Sequence, residues 1–479
     1  MRSVKPDARD LSGRRSETRL ELLGLAVVLA AAFLLYGGAL RGFFVQDDFG
    51  WLESSRFGSF REYFRSFFRF NSALGYRPLS QETFFWLGQK AFGLWPAGFH
   101  LVTLAFHLLG SSAVYVFLRM FCPPLPSLAG TLFYAAHPAH LRALYWISAL
   151  PEPMALLFFM TALVLFIRFD RGGDRRVWAA SLLAMALGMM SKESVLSLPL
   201  VLAAYSALFA PRRLPWTAPF FALSGLYAVL RLTSRAVTAA PYPLTFGWKA
   251  ARNLACFLVW TCPYGWDHVR LVHWAALGAG LALALVLTYI FVRNRRLALF
   301  ACAWYLCALQ PVLYFPGHAY AYYLAPALPA ASLLLGSILF PDLARLARGR
   351  AWVPALGLAA LFIGLLRPAV RGDGRWWTER TFQARSFIRQ MRVIDARVPD
   401  DRTAYLIGMG PEDRGVIQDD AALKAYGFST QKFILVGMDA RTPGQIRHLK
   451  EMGELRDFYC YVFIEGVLVD WTDFFRRDP

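Results

Sequence analysis

Charge is scarce in this chain. Only 17% of its 479 residues are Asp, Glu, Lys or Arg, against about 25% in an average soluble domain. That deficit excludes an ordinary soluble globular protein. Cysteine is scarce too. The six thiols, Cys122, Cys256, Cys262, Cys302, Cys307 and Cys460, follow no zinc-site or disulfide spacing. Five fall in or beside hydrophobic segments, where cysteine acts as a small apolar residue. No glycine-rich phosphate loop follows a strand pattern, and no helical repeat of about 34 residues is present. The first hydrophobic stretch exceeds the about 7–15 residues of a signal-peptide core and lacks a small-residue cleavage site. What is abundant is apolar surface, 57% hydrophobic and 16% aromatic residues. Together these define a polytopic membrane protein.

The formal charge of +19 is unevenly spread. Residues 371–479 carry 17 basic and 17 acidic side chains, while 1–370 carry 34 and 15. The excess falls between hydrophobic segments, as the positive-inside rule expects, so nucleic acid is not the partner. Arg2, Lys5, Arg9, Arg14, Arg15 and Arg19 assign 1–19 as a cytoplasmic basic tail. Residues 20–370 read as the transmembrane domain. Its eleven segments fall at 20–40, 97–119, 125–138, 151–167, 177–190, 195–210, 216–233, 275–292, 298–315, 322–340 and 351–367. Asn253 to Cys262 is apolar but short. A crossing there would put Arg293, Arg295 and Arg296 outside, so it reads as an interfacial or re-entrant helix. Residues 371–479 are then extracytoplasmic. A helical stretch from Glu379 to Ala396 precedes strand patterns at 403–408, 432–437 and 458–464. Helices near Ala421 and Gln445 separate these, giving a small mixed or parallel sheet. The expected fold is an all-α polytopic bundle with a small C-terminal α/β domain, in a membrane such as the bacterial inner membrane.

Against this background the outer loops gather polar residues. Gln46-Asp47-Asp48-Phe49 follows the first segment directly. A solvated loop has no structural need for paired acids there, whereas an enzyme drawing a lipid-linked substrate from the bilayer does. Arg56, Arg61, Arg65 and Arg69 then recur about every four residues among phenylalanines, one face of an interfacial helix. Such a helix serves as a plain surface anchor, and it also draws anionic lipid toward the acids. Arg77 lies in Tyr76-Arg77-Pro78-Leu79-Ser80. The second outer loop holds His137-Pro138-Ala139-His140, Arg142, Tyr145, Trp146, Ser148 and Glu152. The third holds Lys192-Glu193, and a late loop holds Pro316-Gly317-His318-Ala319-Tyr320-Ala321-Tyr322-Tyr323. Charged groups at the mouth of a bundle are costly and usually line a cavity. His137 and His140 leave a divalent metal open as a cofactor, although the proline between them and the missing third ligand argue against it. His100 and His107, seven apart on one helix face, read as interhelical hydrogen-bonding groups. Lys192-Glu193 reads either as an ion pair at a helix junction or as a compact charge for a phosphate.

The ordered set formed by the Asp47-Asp48 pair, Tyr76-Arg77-Pro78-Leu79-Ser80, the run from Phe99 to Arg119, the run from His137 to Ser148 and the run from Ser191 to Leu208 resembles the GT-C superfamily. Within it the chain is similar to the protein O-mannosyltransferase-like and TMTC-like glycosyltransferases, over about 20–340. The resemblance implies a polyprenyl- or dolichyl-phosphate sugar donor used on the non-cytoplasmic face. It also implies that Asp47 or Asp48 is the base, with the first acid favoured. Lys192 would be the basic residue near the lipid phosphate and Glu152 the acid closing the second loop. The tetratricopeptide arrays of the TMTC proteins are absent, and where an acid-Arg-Tyr motif is usual the late loop has Gly317-His318-Ala319-Tyr320 or Tyr320-Ala321-Tyr322.

The residues suit such chemistry by themselves. An inverting transfer needs one carboxylate to take the acceptor's proton and cations for the departing phosphate. A glycosidase would need two carboxylates on opposite sides of one bond, which adjacent Asp47 and Asp48 cannot provide. The expected catalytic residues are therefore Asp47 and Asp48. The expected substrate-binding residues are Arg77, His137, His140, Glu152, Lys192, Glu193 and Tyr320. The partners are the donor lipid, an acceptor protein, lipid or glycan, and the membrane. A lipid or solute transporter is the alternative, but it should show an internal repeat with matching broken helices, and none is seen. A membrane scaffold would leave the outer-face charges without a purpose.

Overall fold

The computed structural model describes residues 8–68, 76–233, 247–263, 294–315, 319–339, 352–435 and 458–476. The expected segment 275–292, the helix near Gln445 and His318 lie outside these residues.

Among the described residues four helices are long and apolar enough to cross a bilayer: Thr18–Arg41, Pro96–Leu118, Ile147–Gly172 and Asn294–Leu313. Shorter apolar helices run over Glu193–Phe209, Leu328–Ser337 and Ala359–Pro368. These make the chain an integral membrane protein. Other expected segments are real helices but short. Pro124–Ala135 has 12 residues, about 18 Å at the helical rise, against a hydrocarbon core of roughly 30 Å. Prolines start a new helix at Pro96, Pro124 and Pro151, where a missing N–H costs nothing.

In chain order the helices that frame the site are α1 (Ala8–Tyr36), α2 (Asp47–Ser54), α3 (Phe60–Ser66), α4 (Phe84–Phe92), α5 (Pro96–Leu118), α6 (Pro124–Ala135), α7 (Leu141–Tyr145), α8 (Pro151–Gly172), α9 (Arg175–Met189) and α10 (Leu198–Phe209). The central one is α8. The apolar span that contains it is 78% buried, against 39% for the span that contains α1. It packs on α5 and α9, with Phe159 stacked on Trp304 at 6.1 Å. Its end is set by Gly173, left-handed at φ 74°, whose N–H returns to the Phe169 carbonyl. Asp174 then opens α9 by accepting from the Arg176 N–H at 2.8 Å. At this end, remote from Asp47, Arg119 and Tyr115 of α5 and its exit bind Glu21 of α1, and Tyr205 of α10 binds Asp170 of α8.

After α11 (Ala218–Thr233), α12 (Trp248–Trp260), α13 (Asn294–Leu313) and α14 (Leu328–Leu339), a single helix, α15, runs from Trp352 to Asp395. It is 44 residues long with Pro368 inside, about 66 Å at the helical rise, and it lies along α1. It continues through residue 371, where a change of domain was expected, and carries the sheet on the same rod. The sheet has the order β2-β1-β3-β4, from β1 (Ala404–Ile407), β2 (Phe433–Leu435), β3 (Tyr459–Ile464) and β4 (Val467–Asp470). β1 is parallel to both neighbours, and β4 is antiparallel to β3. The mixed sheet was expected and its fourth strand was not. Glu465 and Gly466, both at positive φ, make the tight hairpin turn that reverses the chain.

Candidate functional site

The first acidic pair divides its work. Asp48, the second residue of α2, is fully buried. Its Oδ2 accepts from the Val45 N–H at 2.9 Å, and its Oδ1 accepts from the N–H and hydroxyl of Ser148 at 2.7 and 2.5 Å. Three donors inside the protein occupy it, and through Ser148 it ties α2 to the turn that starts α8. Burial pushes its pKa up to about 7 although those donors pull it down. Asp47 is only partly buried and has no such bonds among the described residues. Burial raises its pKa as well, and the nearby Arg142 guanidinium opposes the rise. A carboxylate raised toward neutrality is a better proton acceptor than a fully solvated one.

Arg142, on α7, lies among aromatic rings. Its guanidinium carbon is 4.4 Å from the Tyr320 ring centre, 5.0 Å from Tyr322 and Trp146, and 5.9 Å from Trp377 of α15. Neither its Nε nor the buried Trp146 Nε1 has a hydrogen-bond partner among the described residues. Lys192 stands 5.3 and 5.0 Å from the rings of Tyr322 and Tyr323. Two ion pairs complete the group. Lys192 pairs with Glu152 at the start of α8, and Arg77 grips Glu193 with two hydrogen bonds of 2.8 Å. The neighbours Lys192 and Glu193 thus do not pair with each other as the ion-pair reading expected. An extended Lys192 backbone, φ −162° and ψ 146°, sends adjacent side chains to opposite sides. Burial, with Arg77 and Arg142 close by, pulls the Lys192 pKa well below the ordinary lysine value.

Local structure explains the convergence. The Tyr76–Ser80 stretch is sewn to the end of α9. The Leu79 N–H meets the Met190 carbonyl at 3.1 Å, and the Ser80 hydroxyl meets the Ser191 carbonyl at 2.6 Å. The structure therefore brings Asp47, Arg77, Glu152, Lys192, Glu193 and Tyr320 to one end of the bundle. It adds Arg142, Tyr322, Tyr323 and Trp377. Arg142 and the two tyrosines stand in loops already noted for polar residues, whereas Trp377 carries no signal in the sequence.

His137 and His140 are buried and turned inward. His137 Nδ1 accepts from the Ala139 N–H at 3.2 Å, so Nε2 carries the proton and meets the Thr261 carbonyl at 3.2 Å. His140 Nε2 meets the Tyr134 carbonyl at 2.9 Å, and its ring lies 4.6 Å from that of His107, whose Nε2 meets the Ala135 carbonyl. Burial holds the His137 pKa down to about 4. Among the described residues no group of three or more His, Cys, Asp or Glu side chains is arranged to hold a metal ion.

The helical bundle and its sheet share their overall fold with a solved membrane-protein structure. In particular, the chain superposes on ArnT from Cupriavidus metallidurans, solved with undecaprenyl phosphate bound, with a TM-score of 0.50 and 15% identity over 91% of this chain and 92% of that one. It is 25% identical over 138 residues to human protein O-mannosyl-transferase TMTC3, covering 28% of this chain and 15% of that protein. It is 23% identical over 215 residues to a protein O-mannosyl-transferase of Caenorhabditis elegans, covering 41% and 30%. The matched stretches span less than a third of those two relatives. No protein-family model matches the chain.

Proposed function

We propose that this protein is a membrane glycosyltransferase that moves a sugar from a polyprenyl-phosphate-linked donor to an acceptor hydroxyl, with inversion. The observation that carries the reading is the division of labour within the acidic pair. Asp48 accepts from three internal donors, while Asp47, near Arg142, accepts no such bond among the described residues. In this reading Asp47 takes the proton of the acceptor hydroxyl as its oxygen bonds to the anomeric carbon. The bond from that carbon to the phosphate oxygen breaks, and the electron pair leaves with the lipid phosphate. Lys192 and Arg142 face that developing charge, where preorganised cations in a water-poor site act most strongly. Tyr320, Tyr322 and Tyr323 hold the two cations in place and offer faces for the sugar. Arg77 and Glu193 fix the Lys192 loop. The undecaprenyl phosphate held by ArnT and the O-mannosyl transfer named for the relatives support the choice of donor class and reaction. The N-terminus is then cytoplasmic, and the site and residues 371–479 lie on the other side of the membrane.

The test is transfer by the purified protein from labelled polyprenyl-phosphate sugars to candidate hydroxyl acceptors. Asp47→Asn keeps size and removes basicity, so transfer should fall by about 10²–10⁴ with donor binding and unfolding temperature unchanged. Full activity in Asp47→Asn would sink the mechanism.

A further inference from the structure

We infer that the C-terminal sheet domain positions the Asp47 helix, and that Gln418 is the positioning residue. The inference rests on the reading of Asp47 as the base. The helix α2 is eight residues long, and its N-cap residue, Gln46, supplies no side-chain cap. Free N–H groups at a helix start need acceptors; those of Asp48 and Phe49 find the Val45 and Gln46 carbonyls, and two further acceptors come from the far end of the chain. The Gln46 N–H meets the Val416 carbonyl at 2.8 Å. The Gly50 N–H meets Gln418 Oε1 at 2.8 Å. These two bonds bracket Asp47, Asp48 and Phe49.

The grip extends to both sides of α2. Ahead of it, Arg385 donates to the Arg41 carbonyl at 2.9 Å, and Tyr426 stacks on Phe43 at 6.0 Å. Behind it, Arg56 donates to the carbonyls of Lys424 and Ala425. Backbone strain sits on both faces of the contact. Gln46 has φ 55° and ψ −130°, and Gln418 has φ 51° and ψ 58°. Such conformations persist only where the surroundings over-determine them. Gly50 permits the approach, because a Cβ there would lie 2.6 Å from Gln418 Oε1. From the bundle, Asp48 supplies the polar tie through Ser148, and Phe49 and Leu52 the buried packing. The direction in which Asp47 points is therefore shared between the bundle and a domain more than 360 residues away in sequence.

The experiment combines hydrogen exchange with kinetics on the full chain in detergent. In Gln418→Ala, exchange at the Gly50 amide should quicken by about threefold to tenfold, the weight of one hydrogen bond, while β1 amides stay protected. The kcat for transfer should drop by about tenfold to a hundredfold, as expected for a misplaced reacting group, with the donor KM unchanged. Gln418→Glu keeps an acceptor at Oε1 and should restore both. Gly50→Ala should reproduce the loss. An unchanged Gly50 amide in Gln418→Ala, or an unchanged kcat despite faster exchange, overturns the inference. If the wild-type chain transfers no sugar while the exchange response is intact, the transferase reading fails and the Gln418 bond stands.

Discussion

Two polar clusters lie at the Asp47 end of the bundle, and they follow opposite plans. In the histidine cluster of His107, His137 and His140, every ring bonds a backbone carbonyl. In the charged cluster, ions balance ions and rings cover cations, yet Arg142 Nε and Trp146 Nε1 stay unpaired among the described residues and Asp47 stays partly open. A buried polar group left unpaired costs about 1–3 kcal/mol, so the two atoms are donors that a bound group could satisfy. The first cluster holds the break between α6 and α7. In the proposed reading, the second receives the donor.

That contrast can be broken most directly at Lys192. Lys192→Ala strands Glu152 beneath it, and losing one partner of a buried pair costs about 3–5 kcal/mol. Thermal unfolding should shift accordingly, and donor binding should be lost. Adding Glu152→Gln should recover most of the stability and none of the binding. Donor affinity surviving in the double variant would move Lys192 to the structural plan.

Asp48→Asn should come next. An amide NH₂ would face protein donors where a carboxylate oxygen now accepts, at a cost of about 1–3 kcal/mol. Asp47→Asn, one residue away, should leave the unfolding midpoint in place. Equal stability losses in the two variants would erase the division within the pair.

The pH dependence of stability separates the clusters further. His137 is held at about 4, below its ordinary value of 6.5, so the unfolded chain binds its proton first. Its contribution is present above 6.5 and is lost as pH falls through about 4. Asp48 is raised to about 7 from 3.8, so the folded chain binds its proton first. Its contribution is present below 3.8 and is lost as pH rises through about 7. Denaturation curves should show His137→Gln flattening the acid side and Asp48→Asn the neutral side. Identical curves for both variants and the wild type would contradict the two assignments.

The smallest effect is expected at Arg142. Arg142→Lys keeps the charge but loses much of the ring contact, worth about 0.5–2 kcal/mol, or about 2–30-fold in transfer rate. Because Arg142 holds the Asp47 pKa down, Arg142→Ala should move the acid limb of the pH–rate profile to higher pH. Arg142→Lys should leave that limb nearly in place. A limb that does not respond to Arg142→Ala would detach Asp47 from the proton transfer.

The long apolar runs, the mixed sheet and the loops that carry the charges were readable from local pattern, because apolar period and turn chemistry act over a few residues. The number of long spans was less so. An apolar run of the right length does not reveal where its helix stops, as at Ala135, where the helix that starts at Pro124 ends after 12 residues. The partners of Lys192 and Glu193 were unreadable, since adjacent residues on extended backbone look equivalent until their surroundings differ.

By itself the sequence determined that the chain enters a membrane and that its acids and bases gather in the stretches between apolar runs. These follow from composition and from the cost of charge in lipid. Only the tertiary structure decided which acid takes the internal donors and which takes none among the described residues, which cation faces it, and that Gln418 reaches Gly50 across the fold. Those choices depend on which N–H groups the folded backbone leaves without partners, and a chain acquires that property only when distant segments meet.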